Sequence, residues 1–385
     1  MTIQANERPL PGPAWLRDPI AEYRPGDFLM SGTAGSILGR GSRRLRMTAD
    51  TARKELADHC AATSQPSAIA GVLPFRPGGM GEFIALDSTL RGPRLRAGTA
   101  PHEGGIAGHG AAMAADSPDH HYTTAVAKAL KKFSPEGLQK VVLARSLRTS
   151  LASPLDIAEL FARLVGQNPS AYVFAAPLPE GRTLVGASPE LLVRRSGSRA
   201  ISNPLAGSMP RCADSAADQA NARKLLGSSK DLREHAIVVD MVAEVLSGLC
   251  TGLRVPATPE LVRTGSMWHL STHIEGRLRE EETTSLDLAF ALHPTPAVCG
   301  WPTEAACSLI EELEETSRGF YAGAVGWMDA QGDGEWAVSI RCAEIASDEL
   351  RVHAGAGIVP GSDPELEHAE TEAKFRTILA GLGVC

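Results

Sequence analysis

The sequence predicts one large α+β domain, and three observations support this prediction. The chain has 385 residues, 43% of them hydrophobic and 22% charged, which allows a substantial core. Helical and strand-like patterns alternate without a clean linker, an internal repeat or a low-complexity tract. Three apolar runs, at 323–329, 335–345 and 349–359, are separated by short Gly/Asp turns and predict an antiparallel meander. We expect an extended Pro/Arg-rich arm over residues 1–26 and the folded domain over residues 27–385.

The individual elements follow from periodicity and turn residues. The Gly-rich segment 28–41 lacks the closing Gly-Lys-Ser/Thr of a phosphate loop, so it is interpreted as a strand and a turn and not as a nucleotide site. A helix is expected at 48–60, strands at 67–75 and 82–86, and an aperiodic surface loop at 91–119. Later strands are predicted at 140–145, 171–176 and 183–186, and helices at 117–133, 154–165, 215–250 with a break near Gly227, 302–314 and 364–382.

Composition excludes several classes of function. The net charge of −7, without a basic block, argues against nucleic-acid binding and against an anionic membrane surface as partner. The seven cysteines are scattered without a CxxC spacing, which indicates neither a zinc site nor a disulfide framework. Because the sequence lacks a signal-like apolar segment and any apolar run of about 18 residues, a cytoplasmic protein is expected.

Two acidic pairs at helical spacing predict a cation site between two helices. The C-terminal helix would place Glu367, Glu370 and Lys374 on one face, because residues three and four apart are neighbours. The same acidic spacing occurs in Asp231 and Glu234. Such carboxylates could hold a hard cation, with the ammonium contacting an anionic ligand. A solvated helix face with one salt bridge is the alternative.

Lys140 and Glu190 are candidates for proton transfer. Lys140 begins an apolar strand, where burial disfavours the charged amine and makes it a usable base. Glu190 follows a Gly/Ser/Pro turn and precedes two leucines, so a desolvated carboxyl there could act as a general acid. Two alternatives stay open: an edge-strand lysine that reaches solvent, and a first-turn glutamate favoured by the helix dipole.

Other positions are candidates for ligand contacts. Small-residue turns at Gly207-Ser208 and at Gly355 would let backbone N–H groups approach a carboxylate. Arg341 interrupts an apolar strand, so its guanidinium needs a partner, either a substrate carboxylate or a structural ion pair. His269 is either a core histidine with a satisfied hydrogen bond or a substrate contact.

Together these residues resemble those of the chorismate-utilising enzymes, which include isochorismate synthases, salicylate synthases and the synthase subunits for anthranilate and aminodeoxychorismate. The matching segments come in the family's order and span about residues 120–382, whereas the first hundred or so residues match only loosely. The segments are Lys140-Val-Val-Leu-Ala-Arg, Gly186-Ala-Ser-Pro-Glu-Leu-Leu, Pro204-Leu-Ala-Gly-Ser, Lys230-Asp-Leu-Arg-Glu-His, His293-Pro-Thr-Pro-Ala-Val-Cys-Gly, Ile340-Arg-Cys-Ala, Ala354-Gly-Ala-Gly-Ile-Val and the closing Glu370-x-x-x-Lys374.

The resemblance implies two large antiparallel sheets packed face to face, with helices outside, and a magnesium-dependent enzyme acting on chorismate. It implies that Glu234 and Glu370 coordinate Mg²⁺, which would bind the ring carboxylate, while Asp231 and Glu367 orient ligands or metal-bound waters. The enolpyruvyl carboxylate would bind Arg341. The implied anion cradle is completed by Lys374, Gly207, Ser208 and Gly355.

Two positions favour one member of this family. The residue matched by Lys140 takes a proton from water in the family, and the residue matched by Glu190 protonates the departing C4 hydroxyl; relatives that use ammonia commonly lack the lysine. Relatives that eliminate pyruvate carry Thr where this chain has Ala297, whose methyl cannot hydrogen-bond. Departures from the family pattern are Val298, where leucine is common in isochorismate synthases, and Asp231, where many relatives have Glu.

The expected function is therefore isochorismate synthase, an isomerase supplying a catechol or salicylate route such as siderophore biosynthesis. Salicylate synthase is the nearest alternative. An amino-chorismate-type synthase and a non-catalytic chorismate-binding protein are less favoured. We expect a monomer with chorismate as its small-molecule partner.

Overall fold

The computed structural model describes residues 18–48, 51, 58, 68–96, 114–116 and 119–382. Most of the predicted arm, the helix at 48–60 and most of the loop at 91–119 lie outside these residues. The strands are β1 (Phe28–Gly32), β2 (Gly35–Arg40), β3 (Arg43–Met47), β4 (Ala68–Leu73), β5 (Gly81–Leu86), β6 (Ser88–Gly92), β7 (Ala114–Ala115), β8 (Lys140–Ser150), β9 (Tyr172–Pro177), β10 (Thr183–Ser188), β11 (Leu191–Ser196), β12 (Arg199–Asn203), β13 (Leu205–Pro210), β14 (Cys250–Arg254), β15 (Glu260–Arg263), β16 (Met267–Ser271), β17 (Ile274–Leu278), β18 (Gly300–Trp301), β19 (Ala324–Asp329), β20 (Gly334–Val338), β21 (Cys342–Ile345) and β22 (Glu349–Ile358). The helices are α1 (Asp119–Leu130), α2 (Ile157–Gln167), α3 (Ser215–Gly227), α4 (Ser229–Leu249), α5 (Ser285–Leu292), α6 (Thr303–Leu313) and α7 (Pro364–Leu382), with a 3₁₀ turn at Pro179–Gly181.

Within the described residues, the strands form two large sheets and a small one, and all their pairings are antiparallel. The first sheet has the order β18-β8-β22-β21-β10-β9-β1-β2-β6, with β7 also paired to β8. The second sheet has the order β14-β17-β12-β11-β20-β19-β4-β5-β3, and the small sheet has the order β13-β16-β15. Most neighbours are distant in sequence, so the register joins segments that local patterns cannot connect.

The main hydrophobic core lies between the two large sheets. In β1, Phe28 and Met30 belong to this core, while Leu29 belongs to a second cluster on the other face, as strand alternation requires. The second sheet contributes Phe83 and Trp336, whose rings meet edge to face with centroids 6.1 Å apart. The predicted pair of packed sheets is therefore confirmed.

Helices α2 and α7 cover the outer face of the first sheet. Phe161 of α2 and Phe375 and Ile378 of α7 are buried in the second cluster with Leu29. The Asp156 carboxylate caps α2, accepting a hydrogen bond from a backbone N–H of its first turn. None of the described helices is long and apolar enough to cross a membrane.

The long helix predicted at 215–250 is broken where expected. Helix α3 ends at Gly227, and Ser228 caps α4, since its hydroxyl accepts a 3.2 Å hydrogen bond from the backbone N–H of Asp231. Asp231 thus lies in the first turn of α4, with Glu234 one turn later. Helix α4 packs against β13, the strand that carries Gly207.

The predicted meander is wrong in its middle. The run at 335–345 is two strands, β20 in the second sheet and β21 in the first, and Arg341 lies between them instead of inside a strand. Its φ of 53° is unusual for a residue with a side chain and marks the crossing. An apolar pattern does not show which sheet a strand joins, so pattern alone cannot detect this crossing.

Two predicted small-residue turns are parts of strands. Gly355 lies within β22, and Gly207 lies within β13 at a register shift between Ala206 and Ser208. Gly207 has a φ of 75°, and a Cβ at this position would lie 3.0 Å from the Asp231 Cβ. Both the backbone conformation and the available space therefore favour glycine at this bulge.

Candidate active site

A cavity brings together segments that are far apart in the chain. Its walls come from β8, β13, β16, β22, α4, α7 and the connections before β11, β18, β19 and β21. Ten of the thirteen predicted site residues line it: Glu190, Gly207, Ser208, Glu234, His269, Ala297, Arg341, Gly355, Glu370 and Lys374. The other three, Lys140, Asp231 and Glu367, lie behind this wall.

Lys140 is fully buried and reaches the cavity through Glu234. Its Nζ lies 3.0 Å from Glu234 Oε1, and the Glu234 carboxylate lines the cavity. The alternative of an edge-strand lysine that reaches solvent is therefore wrong. Gly357 supplies the necessary space, because a side chain at this position would collide with the Glu234 carboxylate.

Glu190 has the environment of a carboxyl that keeps its proton. It lies between β10 and β11, is 2% exposed, and accepts a 3.4 Å hydrogen bond from the backbone N–H of Leu205. Burial raises the pKa of Glu190 to about 8, although this hydrogen bond and the charge of Lys140 act in the opposite direction. Because Glu190 does not lie in the first turn of a helix, the dipole alternative is wrong.

The predicted stripe on α7 faces the cavity through Glu370 and Lys374. Lys374 Nζ lies 2.7 Å from Glu370 Oε1 and donates a 2.7 Å hydrogen bond to the Gly355 carbonyl. The Ser208 hydroxyl donates to Glu370 Oε1 at 2.9 Å. Burial opposes ionisation of Glu370, but Lys374 and Ser208 outweigh it and lower the pKa of this carboxyl. At Gly355 the group that contacts Lys374 is thus the backbone carbonyl.

Asp231 and Glu367 stand behind the two cavity carboxylates. Glu367 is 2% exposed and accepts a 2.6 Å hydrogen bond from Lys230 Nζ. Burial, followed by the charge of Glu370, raises the pKa of Glu367, and burial also raises the pKa of Asp231. Their positions agree with supporting roles better than with direct contact to a ligand in the cavity.

The residues present fit a magnesium ion held by few protein ligands. Among the described residues, no group of three or more His, Cys, Asp and Glu side chains is arranged to hold a metal on its own. Mg²⁺ does not need such a cage, since it commonly keeps waters and binds one or two carboxylates plus substrate oxygens. Glu234 and Glu370 provide two carboxylates that line the same cavity, and the glycine at position 357 preserves the space around Glu234.

Arg341 and His269 give the cavity a cation and a neutral imidazole. Arg341 forms no ion pair with the described carboxylates, which removes the structural ion pair as its explanation. His269 is 5% exposed, and its Nε2 has no hydrogen-bond partner. Burial, then the charges of Arg341 and Lys374, lower the pKa of His269 far below its usual range. The satisfied-core interpretation of His269 is therefore wrong, and its Nε2 is available to a ligand.

Ala297 and Val298 form another part of the wall, fixed from behind by Arg318. The Arg318 guanidinium is buried and donates to the carbonyl of Val298 at 2.8 Å and to that of Val142 at 2.7 Å. Glu314 forms an ion pair with this guanidinium and accepts a hydrogen bond from the backbone of β8. The methyl at position 297 is thus held against the strand that begins with Lys140.

Sequence reasoning missed Tyr321 and His353, whose rings line the cavity. The two rings stack with centroids 4.9 Å apart, and His353 Nε2 is buried without a partner. Burial lowers the pKa of His353 to about 3, so its imidazole is neutral. Strand alternation could have identified His353, because it lies two residues before Gly355 and therefore on the same face of β22.

Comparison with known proteins gives a consistent family. The sequence pattern of the chorismate binding enzyme family matches residues 106–383. Isochorismate synthase DhbC of Bacillus subtilis (strain 168) is 50% identical over 269 residues, which cover 68% of each chain. MenF of Mycobacterium tuberculosis (strain H37Rv) is 44% identical over 371 residues, covering 93% of this chain and 96% of that protein. The crystal structure of a DhbC from Bacillus anthracis matches with a TM-score of 0.89 and 38% identity, covering 95% of this chain and 99% of that one.

The chain belongs to the chorismate-binding enzymes. The matched region contains all thirteen predicted site residues, and the structural match extends the likeness over the N-terminal strands that the sequence motifs resembled only loosely.

Proposed function

We propose that this chain is an isochorismate synthase, which adds water at C2 of chorismate while the C4 hydroxyl leaves. One observation carries the proposal: a single cavity contains a neutral acid at Glu190, carboxylates at Glu234 and Glu370, and cations at Arg341 and Lys374. These groups match a substrate that carries two carboxylates and a hydroxyl leaving group. The relative named as an isochorismate synthase supports the same activity.

Lys140 and Glu190 divide the proton transfers. In its deprotonated form, the Lys140 amine takes a proton from water as the water oxygen bonds to C2. The two ring double bonds shift, the C4–O bond breaks with its electron pair, and Glu190 gives its proton to the departing hydroxyl, which leaves as water. A carboxyl with a pKa of about 8 still carries this proton at neutral pH, as a general acid must.

Glu234 and Glu370 would hold Mg²⁺, with Asp231 and Glu367 supporting them from behind. When bound, the ion supplies positive charge that fixes a substrate carboxylate. Lys230 neutralises Glu367, so that carboxylate does not add uncompensated charge next to Glu370.

Arg341 and His269 orient the substrate. The guanidinium can bind the enolpyruvyl carboxylate through two parallel hydrogen bonds, and Lys374 adds a second cation beside Glu370. The free Nε2 of the neutral His269 ring can hydrogen-bond a hydroxyl or carboxylate oxygen.

Incubation of the purified protein with chorismate and Mg²⁺, with and without ammonia, tests the proposal. We expect isochorismate alone, identified by chromatography and mass spectrometry. Salicylate with pyruvate would establish the salicylate synthase alternative instead, and an aminated product would overturn the role of Lys140. No product under any condition would favour a binding protein.

The Ala297→Thr variant is expected to release pyruvate. The present methyl cannot hydrogen-bond, and a threonine hydroxyl at this wall position could bind the substrate or a water and so assist elimination. A lactate dehydrogenase assay measures pyruvate in the variant and in an Ala297→Ser control, which adds a hydroxyl without the branching methyl. Absence of pyruvate from both variants would remove position 297 as the determinant of the product.

The product is proposed to enter a siderophore-type catechol route. Support comes from the Bacillus anthracis structure, which is described as a 2,3-dihydroxybenzoate-specific isochorismate synthase and is 38% identical to this chain with a TM-score of 0.89. Deletion of the gene should abolish secreted catechol while leaving menaquinone unchanged, and the opposite pattern would reassign the route.

A further inference from the structure

We propose that Cys299 and Cys307 form an oxidisable thiol pair, and that closing this pair to a disulfide lowers turnover at the adjacent cavity. The turnover part rests on the proposed function. Their Sγ atoms lie 3.2 Å apart, with Cys299 fully buried and Cys307 on the partly exposed surface of α6. This contact is shorter than ordinary sulfur packing, and a disulfide would require an approach of only about 1 Å further.

The environment of the pair favours a reactive thiolate on its exposed member. The hydrogen bond with Cys299 lowers the pKa of Cys307, and the charges of Arg318 and Arg76 act in the same direction against burial and Glu311. The same hydrogen bond, followed by burial, raises the pKa of Cys299. Because Cys299 is buried and Cys307 is partly exposed, a dissolved oxidant reaches Cys307 first, which makes Cys307 the attacking thiolate and Cys299 the resolving thiol.

A peroxide is the oxidant that this arrangement accepts. The Cys307 thiolate attacks one oxygen of hydrogen peroxide, giving a sulfenic acid and hydroxide. The Cys299 sulfur then attacks the sulfenic sulfur, the S–O bond breaks, and the hydroxyl leaves as water with the proton of Cys299. With the proton that Cys307 first gave to solvent, two thiols and one peroxide yield one disulfide and two waters.

The backbone of Cys299 connects the pair to the catalytic wall. Its carbonyl accepts a 2.8 Å hydrogen bond from Val142 in β8, and it directly follows Val298, which lines the cavity. The next two residues form β18, in which Trp301 pairs with Lys140. Movement of Cys299 toward α6 would therefore shift the part of the cavity wall formed by Ala297 and Val298, the start of β8, or both.

Because catalytic geometry tolerates displacements of less than about 1 Å, we expect oxidation to lower kcat/KM for chorismate at least about tenfold. The purified enzyme is treated with hydrogen peroxide, digested without reduction and mapped by mass spectrometry for a peptide linking the two cysteines. Turnover is measured before oxidation, after oxidation and after dithiothreitol, which should restore it.

Cys307→Ser is the test variant, since it removes the attacking thiolate and leaves the cavity lining intact. It should keep its turnover after peroxide, while Cys212→Ser, which removes an exposed cysteine on another part of the surface, should respond as the parent does. Cys299→Ser is the second variant and should form no linked peptide.

Three results would overturn the proposal: no linked peptide in the parent, a linked peptide with unchanged turnover, or equal loss of activity in Cys307→Ser. If the reduced parent makes no isochorismate, the proposed function fails. In that case, the thiol pair is tested without turnover. A linked peptide together with a change in chorismate affinity on oxidation would support the inference, and the absence of either would overturn it.

Discussion

Replacing Glu190 by Gln is expected to lower isochorismate formation by about 10²–10⁴-fold, the usual range for a lost general acid. The same change is expected to stabilise the folded protein. Glutamine keeps the shape and can still accept the hydrogen bond from Leu205, but it has no carboxyl that must be protonated on folding. Loss of activity with a gain in stability separates a catalytic acid from a structural carboxyl.

The pH dependence of this stabilisation follows from linkage. The pKa of Glu190 is about 8 in the folded protein, against an ordinary 4.5, so folding takes up a proton between these values. Stability therefore falls as pH rises through this window, by as much as about 1.4 kcal/mol per pH unit from this one group. The advantage of Glu190→Gln should be small at pH 5 and on the order of a few kcal/mol at pH 8.

Chemical unfolding of parent and variant at the two pH values measures this difference. Glu335→Gln is a matched control, because Glu335 is also fully buried with a raised pKa but accepts hydrogen bonds from Thr33 and Ala34 outside the cavity. The control should leave turnover within a few-fold of the parent. Near-normal turnover in Glu190→Gln would contradict the assignment of Glu190 as the general acid. So would a variant that is less stable than the parent by a margin that grows with pH.

Lys140→Met is expected to destabilise the folded protein, which is the opposite of the effect expected for Glu190→Gln. It removes the proposed base and gives a comparable rate loss, but it also leaves the Glu234 carboxylate without its ion-pair partner. Removing one member of a buried pair commonly costs about 3–5 kcal/mol, so this variant should unfold more easily than the parent.

Local signals in the sequence predicted those parts of the fold that depend on neighbouring residues. The break between α3 and α4 was predictable because a glycine ends one helix and a serine caps the next. The i,i+3 spacing placed Asp231 and Glu234 correctly on one helix. The family motifs supplied the common cavity, which no single segment contains.

Long-range register determined what the sequence could not predict. Lys140 contacts Glu234 because β8 pairs with β22, whose Gly357 leaves room for the carboxylate. The crossing at Arg341 depends on which sheet each strand joins. The alternation of buried and exposed side chains cannot show this, because it is the same for a strand in either sheet. Likewise Cys299 and Cys307 are eight residues apart, a spacing typical of no motif, and only the packing of α6 beside β18 brings their sulfurs together.

Replacing either cavity carboxylate is expected to abolish magnesium-dependent turnover. Glu234→Gln and Glu370→Gln each remove a charged oxygen from a site that Mg²⁺ would share with substrate and water, so chorismate binding should no longer respond to the ion. The amide substitutions are preferable to alanine, because Lys140 and Lys374 keep a hydrogen-bonding partner. Asp231→Asn and Glu367→Gln, which act from behind the wall, should cost about 10–100-fold in metal affinity.

Calorimetric titration of chorismate with and without Mg²⁺ distinguishes these outcomes, with Glu365→Gln as the control on the exposed face of the same helix. That control should bind as the parent does, because its carboxylate does not face the cavity. If a chelator leaves the affinity of the parent for chorismate unchanged, the metal assignment is wrong. If all four site variants lose the same amount of metal affinity, the division between direct and supporting carboxylates is wrong. The sequence alone does not predict that division, because its spacing places Glu367 and Glu370 on the same helix face. The packing of the helix determines that Glu370 lines the cavity and that Glu367 pairs with Lys230.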